Sequence, residues 1–272
     1  MKKQWSVKLI VLLLFAYLFL PFLLTGLYSI AERWNTTVLP DGVTFRHYTQ
    51  LFGDTRFWSA MGRTIGISAV TVAVSVLVMT PLVYSIAVFA PRLERLMKAL
   101  TLVPFALPGV ITAAALMRAY AGAGIPMVGV LSGAYFVLIM PLLYNGILNA
   151  LRAMDIVPIT EAARVLGAST LTAFLRVIVP GIAPGILVST LLSFSTLFGE
   201  YVIVNMLIGG NFETVQIYLA LTLRNSGHLS SAIVVVYVLL MTLICFTMIL
   251  LTRRKDKGAD AAGLEGIDES PN

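Results

Sequence analysis

Few residues in this 272-residue sequence are equipped for chemistry, and their surroundings narrow what that chemistry is. Glu200 stands within SFSTLFGEYVIV, between Phe198 and the run Tyr201, Val202, Ile203. A carboxylate in such a run must be hydrated, paired or protonated. Three readings stay open: an acid lining a solute path, half of a structural ion pair, or an acid at an interface because the apolar span ends sooner than drawn. Arg118, in ALMRAY, is the candidate partner and a second candidate path residue. Glu161 differs in kind. It begins the polar stretch EAARVLGAST, with Gly167 inside it and Pro180 beyond, a pattern suited to contact with another protein.

Bond-making chemistry finds no set of residues. His47 and His228 lack a second ligand at metal spacing, so no metal site is expected. Cys245 is the sole cysteine and lies in an apolar run, where it reads as a small hydrophobe with no disulfide partner in the chain. No glycine-rich loop of the Walker type occurs to cradle a phosphate, and no catalytic or cofactor-binding residue is expected. Ser193, Ser195 and Thr196 could line a path or bond the carbonyls of their own helix.

The elements that position these residues are dictated by hydropathy. Hydrophobic residues make up 58% of the sequence and charged residues 12%, against roughly 25% charged in soluble chains. Only helices and closed barrels satisfy backbone groups across a hydrocarbon core, and stretches near 20 residues suit helices. Six such spans are expected, at about 9–30, 64–89, 99–120, 125–150, 181–208 and 229–251. The fold class is therefore an all-α membrane protein of six helices. The first run, behind Lys2, Lys3 and Lys8, is too long for a signal-peptide core and is expected to be retained.

The net charge of +6 does not indicate nucleic acid, because the basic residues sit in short segments between spans. They orient the chain instead. Lys2, Lys3 and Lys8, then Arg92, Arg95 and Lys98, then Arg152, Arg164 and Arg176, then Arg253, Arg254, Lys255 and Lys257 all fall on one side, which the positive-inside rule assigns to the cytoplasm. Both termini are then cytoplasmic. Residues 1–30 form the first span, 31–63 an outside loop with a short amphipathic piece near Phe45 to Phe52, 64–251 the core, and 252–272 a disordered tail. Pro104 and Pro108 in the third span, and Pro180 and Pro184 at the fifth, forbid straight helices throughout. The glycine pairs Gly62/Gly66, Gly129/Gly133 and Gly181/Gly185 would permit close approach of helix backbones.

Between spans four and five lies DIVPITEAARVLGASTLTAFLRVIVPGIAP, residues 155–184, and the cytoplasmic loop is drawn at 151–180. It reads as two short helices: Glu161 to Leu166 favour the first, Gly167 permits a left-handed turn, and Ser169 or Thr170 can cap a second that ends before Pro180. Ala162, Ala163 and Leu166 are expected on one side of the first.

In these residues the chain resembles the EAA-loop permeases of binding-protein-dependent ABC importers of type I, with Glu161, Ala162, Ala163, Gly167 and Pro180 in register and Val177 and Val179 departing conservatively. LVPFALPG and SFSTLFGEYVIV further resemble the subgroup serving polyamines, aminoalkylphosphonates and ferric iron. The resemblance implies a multi-pass bacterial inner-membrane subunit that forms a solute path and docks an ATPase through the loop. Its implied partners are a pair of ATPase subunits, which carry ATP and magnesium, a second permease, identical or related, a periplasmic or surface solute-binding protein, and membrane lipid. The implied solute is a small amine such as a polyamine or 2-aminoethylphosphonate, with ferric iron as the alternative. An ion-coupled secondary transporter would need repeat symmetry and several intramembrane ionisable groups, of which Glu200 alone qualifies clearly.

Overall fold

The computed structural model describes residues 2–34 and 40–265, with side chains for 8–34 and 40–250. Helices dominate, joined by one two-stranded ribbon. Four helices among the described residues are long and apolar enough to cross a membrane: Lys8–Ile30, Thr55–Phe89, Met127–Ala153 and Gly227–Leu250. Two bent pairs bring the number to six if each pair is one span. The chain divides into two compact units, residues 1–61 with 214–242, and residues 62–213 with 243–272.

The first unit opens with α1 (Lys2–Ile30), whose residues from Leu9 to Leu24 are exposed on every side. A helix apolar all round belongs in lipid or against another apolar surface. Strands β1 (Ala31–Arg33) and β2 (Asp41–Val43) pair antiparallel, Ala31 opposite Val43. The expected amphipathic piece is α2 (Arg46–Gly53), which buries Leu51. α3 (Thr55–Phe89) then begins well before residue 64, where the outside loop was expected to end. Its 35 residues span about 52 Å, more than a ~30 Å hydrocarbon core, so its first turns can carry Arg56 and Arg63 outside the apolar window that hydropathy detects. Asp54 stands at its start. The Asp54 carboxylate accepts from Arg56 N–H at 2.8 Å and from the Tyr218 hydroxyl at 2.7 Å, and the Tyr218 hydrogen bond foremost holds its pKa below the usual carboxylate range. Tyr218 belongs to α12 (Val215–Leu223), which precedes α13 (Gly227–Glu265). The His228 ring stacks on Tyr28 at 4.1 Å and on His47 at 5.3 Å. The two histidines thus pack as rings, and no group of three metal-ligating side chains forms among the described residues.

The second unit is built on α6 (Met127–Ala153). Leu131, Tyr135, Ile139, Leu143, Ile147 and Leu151 recur at helical spacing and are fully or almost fully buried. α6 packs on α10 (Ala183–Phe198) with unusual closeness. A Cβ at Gly185 would strike Ala150 and one at Gly146 would strike Ser189, so backbone proximity depends on these glycines. Of the expected glycine pairs, Gly185 lies at such a close approach and Gly181 meets only the flexible end of the Met154 side chain, whereas Gly62, Gly66 and Gly133 face open space. At one end of α6, Glu94 pairs with Lys98 at 2.6 Å and with Arg152.

The third expected span is α4 (Leu93–Ala106) and α5 (Gly109–Tyr120), bent by 97° at Leu107 and Pro108. Pro108 has no N–H to donate back and disfavours helix in the residue before it. The fifth expected span, 181–208, is corrected. α10 stops at Phe198, Gly199 to Tyr201 break the helix, and a separate α11 (Val202–Leu207) comes after. The disordered tail expected from 252 is also corrected, because α13 continues to Glu265. Once a long span has nucleated a helix, residues such as Lys, Arg, Ala and Leu propagate it at little cost. The rest of that expected tail, 266–272, and residues 35–39 of the outside loop lie outside the described residues.

Candidate functional site

The stretch between α6 and α10 folds as an elbow. Asp155 turns the chain out of α6 in a left-handed conformation, φ 50°, and α7 (Ile156–Val165) begins there. Its inward face buries Ile156 and Thr160. Gly167 takes φ 82°, and the Gly167 and Ala168 N–H groups donate to the Arg164 and Ala163 carbonyls at 2.9 and 3.0 Å. This double closure needs a left-handed residue, and glycine adopts that conformation without a Cβ penalty. The Ser169 hydroxyl then caps α8 (Thr170–Ala173) by accepting from Thr172 N–H at 3.2 Å. The helix does not end before Pro180, as the sequence suggested. It widens into a π turn over Phe174–Ile178, passes through α9 (Val179–Gly181), and bends by 70° into α10. The Val179 N–H reaches back five residues to the Phe174 carbonyl. The wider turn carries the helix past a proline that cannot donate.

The outer surface of the elbow is apolar. Val165 and Leu166 are both 87% exposed and Leu171 65%. Ala162 and Glu161 are exposed beside them, and Ala163 is half-buried. Val165 and Leu171 were not singled out in the sequence. Their signal was there, since Ala162, Val165 and Leu166 stand at i, i+3 and i+4 on a loop where water should disfavour them. A compact cluster of large apolar side chains held out by a rigid glycine turn has the character of a protein-docking surface. The elbow's inner surface meets α3: the Tyr84 ring lies 4.9 Å from Phe174, and the Tyr84 and Thr160 hydroxyls are 3.4 Å apart.

Glu200 lies in the break between α10 and α11, and is not part of a continuous span. One carboxylate oxygen accepts from Ile203 N–H at 2.7 Å, the other from Val204 N–H at 3.1 Å and from the Tyr135 hydroxyl at 3.1 Å. Both oxygens therefore serve the otherwise unpaired first turn of α11 and tie it to α6. Arg118 is exposed on α5, and the ion pairs found among the described residues do not join it to Glu200. The sequence carries no marker of this arrangement, because glutamate is not a preferred helix N-cap and the apolar run continues on both sides of it.

Residues 79–260 match the family described as binding-protein-dependent transport system inner membrane component. Among curated proteins, the chain is 25% identical over 260 residues to "Probable ABC transporter permease protein y4fN" of Sinorhizobium fredii, covering 90% of this chain and 45% of that protein, so it spans about half the relative's length. Among solved structures it resembles a chain of a bacterial ABC transporter involved in import of the acidic polysaccharide alginate, at TM-score 0.73 and 17% identity, covering 93% of this chain and 96% of the other. It also resembles a chain of the inward-facing MetNI methionine ABC transporter, at TM-score 0.58 and 19% identity, covering 74% of this chain and 98% of the other. These likenesses concern the fold, whereas the match over 79–260 takes in the whole elbow and both helices that carry it. The chain belongs to the family of inner membrane components of binding-protein-dependent transport systems.

Proposed function

We propose that this chain is the membrane-embedded permease subunit of an ABC importer, forming a solute path with a second permease and taking its motion from a separate ATPase through the elbow at Gly167. The observation that carries this is the exposed apolar tip, Val165 and Leu166, on a turn whose geometry is fixed by Gly167 and Ser169. Water disfavours such a tip, and seating it in a cleft of a partner removes the penalty. Glu161, Ala162 and Ala163 border it as the coupling residues, and Pro180 marks the return to the membrane. ATP and magnesium are then bound by the ATPase pair, and a solute-binding protein delivers cargo on the opposite side. Both termini face the cytoplasm in this reading, with the basic segments on the same side as the elbow.

A small amine such as a polyamine or 2-aminoethylphosphonate is the substrate class favoured by the likeness of LVPFALPG and SFSTLFGEYVIV, with ferric iron as the alternative. Glu200 lends it little support, since its oxygens are engaged at α11. The test is site-specific crosslinking in a Cys245→Ser background. A photoreactive label at Leu166→Cys should capture the cognate ATPase, and an impermeant thiol reagent should reach Asp41→Cys but not Leu166→Cys in intact cells. Labelling of Leu166→Cys from outside would overturn the reading, because no ATPase could reach it.

A further inference from the structure

The elbow's chain connections run to α6 and α10 alone, yet its inner surface grips a third helix. We propose that Tyr84 is the positioning residue through which movement of the elbow reaches α3; this rests on the reading of the elbow as the ATPase dock. Tyr84 is 3% exposed and touches both arms of the elbow. Its hydroxyl stands 3.4 Å from Thr160 Oγ1 on α7, and its ring lies 4.9 Å from Phe174, the first residue of the π turn. The Thr160 proton is committed to the Ile156 carbonyl at 2.8 Å, so Tyr84 is the donor. Phe89 closes the cluster edge-on to Tyr84 at 5.9 Å, and the Arg164 guanidinium lies 5.4 Å from the Phe89 ring centre.

One side chain on α3 thus contacts α7 before the exposed tip and the π turn after it. Close-packed aromatic contacts compress little, so displacement of the elbow displaces Tyr84 with it. The π turn supplies the compliance, since such turns recur where helices must adjust. At 3.4 Å the hydroxyl contact is long, and the ring packing is the larger part of the grip. α3 also supplies Ile65, Val72 and Val76 to an apolar groove of 640 Å³ whose other walls are Phe194, Ile244 and Met248. Motion passed through Tyr84 therefore alters that groove as well as α6 and α10.

The test uses the full complex with its cognate ATPase in nanodiscs, with Cys245→Ser and spin labels at Leu77→Cys on α3 and Val137→Cys on α6, both exposed positions. Magnesium with a non-hydrolysable ATP analogue should change the distance between labels. Tyr84→Ala should retain the ATPase, because Tyr84 packs on the inner surface of the elbow and not on the exposed docking tip at Val165 and Leu166, while the distance change shrinks to about a third or less, the scale of coupling residues buried between sites. Tyr84→Phe should keep most of it. A full distance change in Tyr84→Ala with ATPase bound overturns the proposal alone. Loss of ATPase from Tyr84→Ala in step with the distance change assigns Tyr84 a structural role and also overturns it. If Tyr84→Ala does not assemble, Tyr84→Leu decides in the same way, because it fills the site without stacking on Phe174. Failure of the unmutated complex to retain ATPase would sink the docking reading itself.

Discussion

The elbow and the break at Gly199 to Tyr201 are both interruptions between helices, and they treat their side chains in opposite ways. In the break, an acid in apolar surroundings is fully engaged: Glu200 accepts from two N–H groups of α11 and from Tyr135. In the elbow, two large apolar side chains on a polar loop are left 87% exposed. A polar group that finds its partners within the chain serves the fold, whereas an apolar group denied them is offered to something else. Asp54 extends the first half of that rule. It too stands at a helix start, accepting from a backbone N–H and a tyrosine hydroxyl. The repeat shows that Glu200 needs no solute to explain its place.

The comparison predicts its largest effect at the tip. Val165→Asp with Leu166→Asp should abolish retention of the ATPase in detergent pull-downs while the chain still inserts, because seating an aspartate in an apolar cleft leaves a desolvated charge without a partner, which costs several kcal/mol. Undiminished retention would break the docking half of the comparison. Next is Gly167→Val, which forces a β-branched residue to φ 82° and costs about 1–2 kcal/mol in that turn. Its ATPase retention should fall about tenfold, and Gly167→Asn should recover much of it. Glu200→Ala should lower the thermal stability of the complex by about 1 kcal/mol, as loss of a helix cap does, and Glu200→Gln by less, with transport by the folded fraction kept. Loss of transport in Glu200→Gln at unchanged stability would restore the acid to the path, and Arg118→Gln should leave all three quantities alone.

The smallest effect concerns Asp54. Its carboxyl ionises more readily folded than unfolded, so its contribution is present above the unfolded carboxylate pKa near 4 and is lost as pH falls through the lower folded value. A shallow fall in melting temperature below about pH 4 should flatten in Asp54→Asn.

The elbow was legible because its turn residue and its cap are each tied to one local conformation, whereas Pro180 did not end the second helix as its type suggested. Gly167 takes the left-handed turn and Ser169 caps, as their types suggest. The break at Glu200 was hidden by its composition. Phe198, Tyr201 and Val202 continue the apolar run, no proline marks the interruption, and hydropathy records burial in lipid whether or not the backbone stays helical. Tyr84 was unreadable for another reason, since its partners Thr160 and Phe174 are distant in the chain and only packing brings them together. The early start of α3 fell between these cases, for its arginines lie on a helix longer than the hydrocarbon that hydropathy measures.

The π turn over Phe174–Ile178 is equivalent to a straight helix with one residue inserted, and so sets the rotational phase of the helix beyond it. Each residue advances an α-helix by about 100°, so deleting Arg176 alone would let the turn relax to ordinary α geometry while keeping the downstream faces near their present azimuth. An insertion there would instead rotate Gly181 and Gly185 away from Met154 and Ala150, the atoms they now approach. Length changes at this point are therefore asymmetric: the helix has room to lose a residue and none to gain one.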